Sequence, residues 1–338
     1  MKRHGNLFDR CFSAENLYAA YLDARKGKRA KRAVFEFEKR LGPNLAELRD
    51  EILAGTYQPR PYFRFVVQER KPRLILAPAF RDVVAQHAIY RVVYPLFDRT
   101  FIDQSYACRK GKGTHRCADY VQLAMRQYPG DRYTLHLDVR KFFYTIDRAI
   151  LRELLKRVIK DERLLAVMGL YAEHGEPLGI PIGNLLSQLY ALIYLNTVDH
   201  YIKRVLKVRH YARYVDDLLL IGLTRDEAVT ARDAITVFLR ERLGLSLSKA
   251  GLALIKRGVN FVGYRTWRST RFVRRHSLHQ FGRALRRGRV ASLGSLMGHA
   301  QHTGTARHYC RRIAAERPDL IPVLPHYRAP FAPLEAMA

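Results

Sequence analysis

Two apolar stretches separated by a pair of acidic residues constrain the fold of this chain most strongly. Residues 208–215 and 218–222 are rich in β-branched, aromatic and aliphatic side chains, so each predicts a strand. The turn between them carries Asp216 and Asp217. Neighbouring carboxylates flanked by buried strands are costly, because they repel each other and lose water. Two divalent cations about 3.5–4 Å apart would relieve that cost and could promote phosphoryl transfer. An ordinary Asp-Asp turn is the alternative interpretation.

A large excess of basic residues indicates the kind of partner. The chain has 60 Lys plus Arg against 31 Asp plus Glu, which gives a net charge of +29. Such an excess predicts a polyanionic partner, and nucleic acid fits best. With 48% hydrophobic residues the chain is expected to be globular. No run approaches about 18 apolar residues, so no transmembrane helix is predicted. A membrane surface is a less favoured partner, because no long amphipathic helix with a Trp or Phe face stands out and the chain has one Trp.

The N-terminus and the cysteines bear on the compartment. The first residues lack an apolar signal core, and the four cysteines are widely spread without a Cys-x-x-Cys pair. We therefore expect a reducing cytoplasm.

A third carboxylate follows another predicted strand. Residues 132–138 form a strong strand pattern that ends at Asp138. Asp147 is predicted to cap the next helix. Phe143 lies five residues after Asp138, where its ring could form the floor of a sugar pocket or simply pack in the core. A two-metal nucleotidyltransferase needs such a third acid.

Basic side chains accompany a predicted hairpin and a glycine-rich loop. Residues 62–68 and 71–77 predict two strands, with Lys71 and Arg73 near the tip. These cations could reach a triphosphate, or they could protect an exposed strand edge. Residues 105–115 form a basic loop whose amides could hold phosphates, although it lacks a Walker A pattern.

A second loop precedes a long apolar helix. Residues 179–188 are bounded by Gly and Pro, and a helix is predicted over residues 189–205. Asn184, Ser187 and Gln188 would then face a template or nucleotide from the loop. Helix capping is the alternative role for such polar residues.

Helical periodicity covers other parts of the chain. Residues 1–60 are predicted to be helical and basic, with Ser13 as a helix cap. A helix over residues 81–94 is predicted to end at Pro95. An amphipathic helix is predicted over residues 226–243.

The C-terminal part combines arginines with aromatic residues. Arginines recur over residues 265–289, with Trp267, Phe272 and Phe281 between them. Charge neutralisation plus stacking is how proteins hold nucleic acid without reading its sequence. Recurrent prolines from Pro318 onward predict a loose tail.

Four potential metal ligands lie close together near the C-terminus. They are His299, His302, His308 and Cys310. Their spacing fits no standard zinc pattern, so helix-surface and core roles are predicted instead.

Six motifs in order resemble those of a reverse transcriptase. They are residues 71–75, 106–111, 137–143, 179–188, 214–217 and 260–264. The resemblance implies an α+β right-hand polymerase with fingers, a palm built on an antiparallel sheet and a helical thumb. It implies an N-terminal region with fingers over residues 1–130, a palm over 131–264 with a finger-like helical insertion at 148–178, and a thumb and C-terminal tail over 265–338.

The resemblance also implies roles for individual residues. Metal binding and catalysis fall to Asp138, Asp216 and Asp217, with the Val139 carbonyl assisting two Mg²⁺ ions, for which Mn²⁺ is an alternative. The residues implied to contact the incoming dNTP are Lys71, Arg73, Arg109, Phe143 (as the gate against a 2′-hydroxyl), Gly183 and Gln188. Those of the primer grip are Phe261, Val262, Gly263 and Tyr264. Lys249 comes earlier than the lysine that often protonates pyrophosphate in the family.

The implied activity is RNA-directed addition of dNMPs to a primer 3′-hydroxyl. The implied partners are an RNA template, a DNA or RNA primer and an RNA–DNA hybrid, in the cytoplasm of a bacterial or phage-infected cell. The Gly-x-x-x-Ser-Gln pattern at residues 183–188, and the lack of room for a maturase or endonuclease domain, resemble the reverse transcriptases of diversity-generating retroelements. Those enzymes copy template adenines with errors and work with a small basic accessory protein.

Other interpretations stay open from the sequence. Retron enzymes are the nearest alternative, but their Val-Thr-Gly signature is absent here. CRISPR-associated and phage-defence reverse transcriptases are further alternatives, the latter including template-independent polymerases. A non-catalytic RNA-binding protein on the same scaffold would bind RNA without extending a primer.

Overall fold

The computed structural model describes residues 3–68 and 72–327 of the chain. Helices and antiparallel strands both contribute, which confirms the predicted α+β class. The N-terminal helices before the first strand are α1 Leu7–Cys11, α2 Ala14–Ala24, α3 Arg32–Glu38 and α4 Leu41–Ala54. Ser13 caps α2 as predicted, because its hydroxyl accepts a hydrogen bond from the Asn16 amide at 3.2 Å.

In the described part of the chain, the strands form three antiparallel sheets. They are β1 Phe63–Val67, β2 Arg73–Ala77, β3 Tyr133–Val139, β4 His210–Tyr214, β5 Asp217–Leu223, β6 Leu247–Leu254, β7 Val259–Phe261, β8 Tyr264–Thr266 and β9 Arg271–Val273. The first two form a hairpin, the last three form a small sheet, and the central sheet has the order β4-β5-β3-β6. The predicted hairpins over residues 62–77 and around Tyr264 are therefore present.

The other helices surround these sheets. They are α5 Phe80–Asp98, α6 Thr114–Arg126, α7 Phe142–Thr145, α8 Arg148–Lys156, α9 Glu162–Leu170, α10 Leu185–His200, α11 Arg225–Leu243, α12 Arg275–Arg286, α13 Val290–Ala300 and α14 Thr305–Glu316. Asp147 caps α8 as predicted, since its carboxylate accepts from the amides of Ala149 and Ile150. Among the described residues, no helix has the length and apolarity that crossing a bilayer requires.

The central sheet is covered on both faces, which explains its apolar strands. Leu218 and Leu220 of β5 belong to a core shared with α5, α10 and α11, whereas Leu219 and Ile221 belong to a core shared with α6 and the C-terminal helices. Successive side chains in a strand point to opposite faces, so a strand buried on both faces becomes a continuous apolar run. The run at residues 218–221 therefore marks the middle of the molecule.

Strand β6 was not predicted. Its first half carries Ser248, Lys249 and Ala250, which are exposed, and the strand forms the edge of the sheet beyond β3. Polar residues and lysine are normal on an edge strand, because they discourage pairing with other chains. Such a strand lacks the apolar alternation that identifies strands with a buried face.

Two helix boundaries differ from the predictions. Helix α5 continues through Pro95 to Asp98, because a proline in the last turn removes only one backbone hydrogen bond near the helix end. Helix α10 begins at Leu185, earlier than predicted, and a π-helical turn over Tyr201–Val205 follows it. Ser187 and Gln188 are therefore helical and not part of the preceding loop.

The region after α14 is more ordered than predicted. Pro318–Val323 forms a 3₁₀ helix, with Leu320 and Leu324 buried in the C-terminal core. A proline at the start of a helix needs no backbone donor, so Pro318 is compatible with this turn. The prediction of a loose tail is wrong for the residues up to 327, and the rest of the tail lies outside the described residues.

The division into fingers, palm and thumb stays a prediction. Helix α6 precedes the predicted palm boundary at residue 131, yet it packs against β4, β5 and β8. Helices α8 and α9 lie in the predicted insertion and pack on each other. Helix α8 also packs on α10, and helix α9 also packs on α1.

Candidate active site

Three carboxylates lie at one corner of the central sheet. Asp138 of β3 is the cross-strand partner of Asp217 of β5, and Asp216 occupies the turn that joins β4 to β5. The backbone of Val215, also in this turn, has a φ of 55°, which β-branched residues rarely adopt. Strained backbone of this kind persists only where its surroundings hold it.

A buried ion pair holds the turn. Arg213 of β4 is completely buried and donates to both oxygens of Asp199 in α10, at 2.8 Å and 2.7 Å. Its remaining Nη1 donates to the Val215 carbonyl at 3.0 Å, and the Tyr211 hydroxyl donates to Asp199 at 2.7 Å. The sequence offered one signal for this pair, an arginine inside an apolar strand, and it was missed.

The electrostatics of the corner favour a bound cation. The pKa of Asp216 is raised to about 6, chiefly by burial and further by the negative charges of Asp217 and Asp138. Arg73 lies near enough to oppose this shift. The ionised form of Asp216 is therefore unfavourable unless a cation binds beside it.

Hydrogen bonds hold the other two carboxylates. The Ser248 hydroxyl donates to Asp138, and His136 Nε2 is 3.0 Å from Asp217 Oδ1. Lys249 Nζ donates to the other ring nitrogen of His136 at 3.2 Å. Sequence reasoning missed Ser248 and His136, because both act through a strand pairing that only the folded sheet creates.

The donor set suits hard divalent ions. Carboxylates and a backbone carbonyl are the oxygen ligands that Mg²⁺ and Mn²⁺ accept. Asp138, Asp216 and Asp217 supply the carboxylates, and the Val139 carbonyl follows Asp138 directly in β3. Within residues 3–68 and 72–327, no three His, Cys, Asp or Glu side chains are close enough to enclose one ion, so these three carboxylates would have to converge further to share one.

The predicted nucleotide-binding residues are only partly brought together. Arg73 begins β2 and is exposed, near Asp216. Phe143 in α7 is half-buried, with its ring centroid 5.6 Å from that of Phe142. Lys71 lies outside the described residues.

Gly183 brings the loop before α10 against the hairpin. The Leu76 amide donates to the Ile182 carbonyl at 2.7 Å. Gly183 has a φ of +127°, and a Cβ there would lie 2.6 Å from the Leu76 carbonyl oxygen, so only glycine fits. Gln188 is exposed and, with Gly183, lines a cavity of about 440 Å³.

Arg109 forms bonds within its own loop. Its side chain is 8% exposed and forms an ion pair with Asp98 at 2.7 Å. It also donates to the carbonyls of Ile102 and Ser105, at 2.6 Å and 3.0 Å. Its contact with an incoming triphosphate stays a prediction.

The predicted primer grip is the turn between β7 and β8. Val262 and Gly263 form that turn, both with positive φ. Phe261 is buried, and its ring meets His136 edge-on at 5.5 Å. Tyr264 is buried and stacks on His299 of α13 at 4.3 Å. The hairpin is thus fixed between the carboxylate corner and the C-terminal helices.

The C-terminal aromatic residues separate into two groups. Trp267 is half-buried beneath Arg265, and Phe272 is 43% exposed, so both remain accessible. Phe281 is completely buried and stacks on Tyr309 at 3.7 Å. The prediction that Phe281 faces nucleic acid is therefore wrong, because its position on α12 points into the core.

The histidines near the C-terminus have packing contacts. His299 stacks on Tyr264, and His302 lies 4.6 Å from His115, measured between ring centroids. Cys310 is buried, and His308 is exposed.

The fold and this corner together define a class of protein. An antiparallel sheet with carboxylates on adjacent strands, between a hairpin and a helical C-terminal region, is the architecture of a right-hand polymerase. The family model described as reverse transcriptase (RNA-dependent DNA polymerase) matches residues 68–266, which is more than half of the chain. The chain belongs to the reverse transcriptase family. It is an RNA-directed DNA polymerase by class, in a family that generally uses divalent metal ions.

Individual relatives agree with this assignment. The chain is similar to protein YkfC of Escherichia coli K12, with 26% identity over 277 residues that cover 68% of this chain and 72% of that protein. It is also similar to the group II intron-encoded protein LtrA of Lactococcus lactis subsp. cremoris, with 26% identity over 200 residues, 56% of this chain and 32% of that protein. It thus spans about a third of LtrA.

A solved structure shares the fold. Telomerase from Candida albicans, in complex with a fragment of telomeric RNA, superposes with a TM-score of 0.50 at 12% identity. The match covers 78% of this chain and 57% of the telomerase chain.

Proposed function

We propose that this protein copies an RNA template by adding dNMPs to the 3′-hydroxyl of a DNA or RNA primer. The observation that carries the proposal is the cross-strand pairing of Asp138 with Asp217, with Asp216 in the adjoining turn. The net charge of +29 suits a template, a primer and the RNA–DNA hybrid product.

The proposed metal ligands are Asp138, Asp216, Asp217 and the Val139 carbonyl. When bound, two Mg²⁺ ions, or Mn²⁺ in their place, would lower the pKa of the primer hydroxyl and stabilise charge on the leaving pyrophosphate. Arg73 would add positive charge beside the nucleotide phosphates.

Other residues would position the substrates. Phe143 would form the floor of the sugar pocket, and Gly183 and Gln188 would line the template–nucleotide pocket. Residues 261–264 would hold the primer end. In this proposal residues 1–130 form the N-terminal region and fingers, residues 131–264 the palm with its insertion at 148–178, and residues 265–338 the thumb and tail.

Primer extension with matched variants tests the proposal. Asp216→Asn and Asp138→Asn should lose extension of a DNA primer on an RNA template by orders of magnitude and keep RNA binding. Asp233→Asn is the control, because Asp233 is an exposed aspartate on α11 that pairs with the neighbouring Arg232. Extension that persists in Asp216→Asn would remove the catalytic assignment. RNA binding by the wild type without extension would indicate a non-catalytic RNA-binding protein, and extension without template would indicate a template-independent polymerase.

We further propose that copying is error-prone at template adenines, as in diversity-generating retroelements, with a small basic accessory protein. The support is the Gly-x-x-x-Ser-Gln pattern at residues 183–188. Because Ser187 is buried in α10 and Gln188 is exposed, we attribute the effect to Gln188. Sequencing cDNA made from a template with all four bases tests this. Even fidelity at the four bases would overturn it.

A second candidate comes from the relatives. The similarity to LtrA, a group II intron-encoded protein, favours an enzyme of intron-encoded type. The same sequencing experiment separates the two proposals, since even fidelity with RNA-templated extension supports the intron-type enzyme. An excess of errors at adenines supports the retroelement enzyme.

A further inference from the structure

His136 is held on three sides beside the carboxylate corner. It lies two residues before Asp138 in β3, so both side chains project from the same face of the sheet. Its Nε2 is 3.0 Å from Asp217 Oδ1, and its Nδ1 is 3.2 Å from Lys249 Nζ. The ring of Phe261 contacts it edge-on, at 5.5 Å between centroids and 83° between planes. Nothing in the proposed chemistry uses this imidazole.

The partners of the imidazole determine its tautomer. A lysine ammonium has three donors and no acceptor, so His136 Nδ1 must accept the hydrogen bond from Lys249. The ring proton then resides on Nε2, where it is donated to Asp217 Oδ1. The imidazole is therefore a neutral donor to a carboxylate, and the second oxygen of Asp217 stays free of this bond.

Lys249 reaches His136 diagonally across the pair of strands β3 and β6. The cross-strand partner of His136 is Gly251, two residues after Lys249 on β6, and that of Lys249 is Asp138. A Cβ at Gly251 would lie 3.6 Å from Lys249 Cε, in ordinary van der Waals contact with the lysine. The adjacent Ser248 donates to Asp138. Strand β6 therefore contacts Asp138 directly, through Ser248, and Asp217 indirectly, through Lys249 and His136.

We propose that His136 is a positioning residue for the polymerase reaction. Its Nε2–H orients Asp217, and Lys249 holds the ring in place by donating to Nδ1. The inference rests on the proposed function, because the group being oriented is one of the proposed metal ligands. Hydrogen-bond partners of metal ligands typically contribute about 10–100-fold to metal affinity or activity.

This role for Lys249 differs from direct proton donation to pyrophosphate. A lysine that only donates a proton would slow extension when replaced, and the imidazole of His136 would not respond. If the lysine holds the ring through Nδ1, its replacement would change the imidazole resonances even without substrate. Spectroscopy of the metal-free protein therefore separates the two roles.

Imidazole ¹⁵N spectra of the full chain, labelled at histidine, provide the first test. His136→Gln assigns the resonances. In the wild type we expect an unprotonated Nδ1 and a protonated Nε2, and in Lys249→Met an Nδ1 resonance displaced by the loss of its hydrogen bond. Lys39→Met, which replaces an exposed lysine of the α3 surface, should leave the spectrum unchanged. A wild-type ring protonated at Nδ1 would overturn the inference, and so would an unaltered ring in Lys249→Met.

Mn²⁺ binding to the protein–primer–template complex, followed by electron paramagnetic resonance, provides the second test. His136→Ala should bind Mn²⁺ about 10–100-fold more weakly, and His136→Gln, whose amide can donate to Asp217, should recover part of the loss. Mn²⁺ binding by His136→Ala at the wild-type affinity would overturn the inference.

The two proposals can fail separately. If the wild type extends no primer but the tautomer and Mn²⁺ results hold, the proposed function fails and the positioning role of His136 stands. If the wild type extends primers and His136→Ala does so equally well with unchanged Mn²⁺ affinity, the positioning role fails alone.

Discussion

The guanidinium of Arg213 donates a hydrogen bond to the carbonyl oxygen of Val215 across 3.0 Å. The same guanidinium forms a bidentate pair with Asp199, and neither side chain is exposed. Val215 adopts a left-handed conformation that costs of order 1–3 kcal/mol. The buried pair thus holds the strained turn that carries Asp216.

Removing one partner of this pair should destabilise the protein. Arg213→Met leaves the Asp199 carboxylate buried without its cation, so we expect the free energy of unfolding to fall by about 3–5 kcal/mol. The double variant Arg213→Met/Asp199→Leu should recover much of that loss, because it buries no unpaired charge. Urea unfolding measures both. A double variant less stable than Arg213→Met would contradict this account.

The double variant also separates stability from turn geometry. It lacks the donor to the Val215 carbonyl, so we expect primer extension to stay low although stability returns. Full extension activity in a refolded double variant would mean that the bond to Val215 does not determine the position of Asp216.

Gly222 should not tolerate a side chain. It has a φ of +91°, and a Cβ there would lie 2.1 Å from the ring of Tyr128. We expect Gly222→Ala to lower the free energy of unfolding by roughly 2–4 kcal/mol, from backbone strain and overpacking together. The control is Gly169→Ala in α9, where nothing lies within 4 Å and φ is not positive.

The control substitution Gly169→Ala should not lower the free energy of unfolding. Alanine in a helix is better than glycine by roughly 0.5–1 kcal/mol, so Gly169→Ala should be neutral or stabilising. Chemical denaturation of the three proteins measures the difference. Equal effects of the two substitutions would contradict a specific clash at Gly222.

Local patterns were sufficient to predict the carboxylate corner. Asp138 lies at the end of the apolar strand β3, the Asp216–Asp217 turn leads into the apolar strand β5, and these two strands are the central pair of the sheet. Their pairing places Asp138 opposite Asp217. When each of two neighbouring strands has a clear sequence pattern of its own, both strands can be predicted without knowing the rest of the fold.

Contacts that only the folded chain reveals could not be predicted in this way. The loop of Arg109 is recognisably basic and rich in glycine, but the binding of its guanidinium by Asp98 and two carbonyls is seen only in the folded loop. His136 and Lys249 are 113 residues apart and meet only because an exposed edge strand pairs with β3. Edge strands carry a weak hydrophobic signal, so neither the strand nor the contact is visible locally.

The raised pKa of Asp216 predicts a stability that depends on pH. Its value of about 6 exceeds the ordinary 3.8, chiefly because of burial. Each pKa unit corresponds to about 1.4 kcal/mol, so ionised Asp216 costs the metal-free folded state roughly 1–3 kcal/mol above that pKa. We therefore expect Asp216→Asn to be more stable than the wild type at neutral pH in the presence of a chelator.

Because the pKa of Asp216 is raised in the folded state, the pH range in which the stability changes can be predicted. Below a pH of about 6 the folded wild type binds a proton that the unfolded chain does not yet bind, so its stability rises relative to Asp216→Asn. The advantage of Asp216→Asn should shrink between pH 6 and 4 and be absent in Asp233→Asn, whose carboxylate is fully exposed. Urea unfolding at several pH values measures this. If Asp216→Asn were more stable than the wild type by the same amount at every pH, the ionisation of Asp216 could not be the cause.

Two phenylalanines in the arginine-rich region should behave differently. Phe281 is buried against Tyr309, so Phe281→Ala should lower the free energy of unfolding by about 3–5 kcal/mol. Phe272 is 43% exposed, and Phe272→Ala should instead weaken binding of single-stranded RNA by about 1–3 kcal/mol if its ring stacks on a base. Fluorescence anisotropy at fixed salt, with urea unfolding of each variant, separates the two. Wild-type RNA affinity in Phe272→Ala would leave the arginines as the RNA-binding groups of this region, because charge neutralisation requires no aromatic ring.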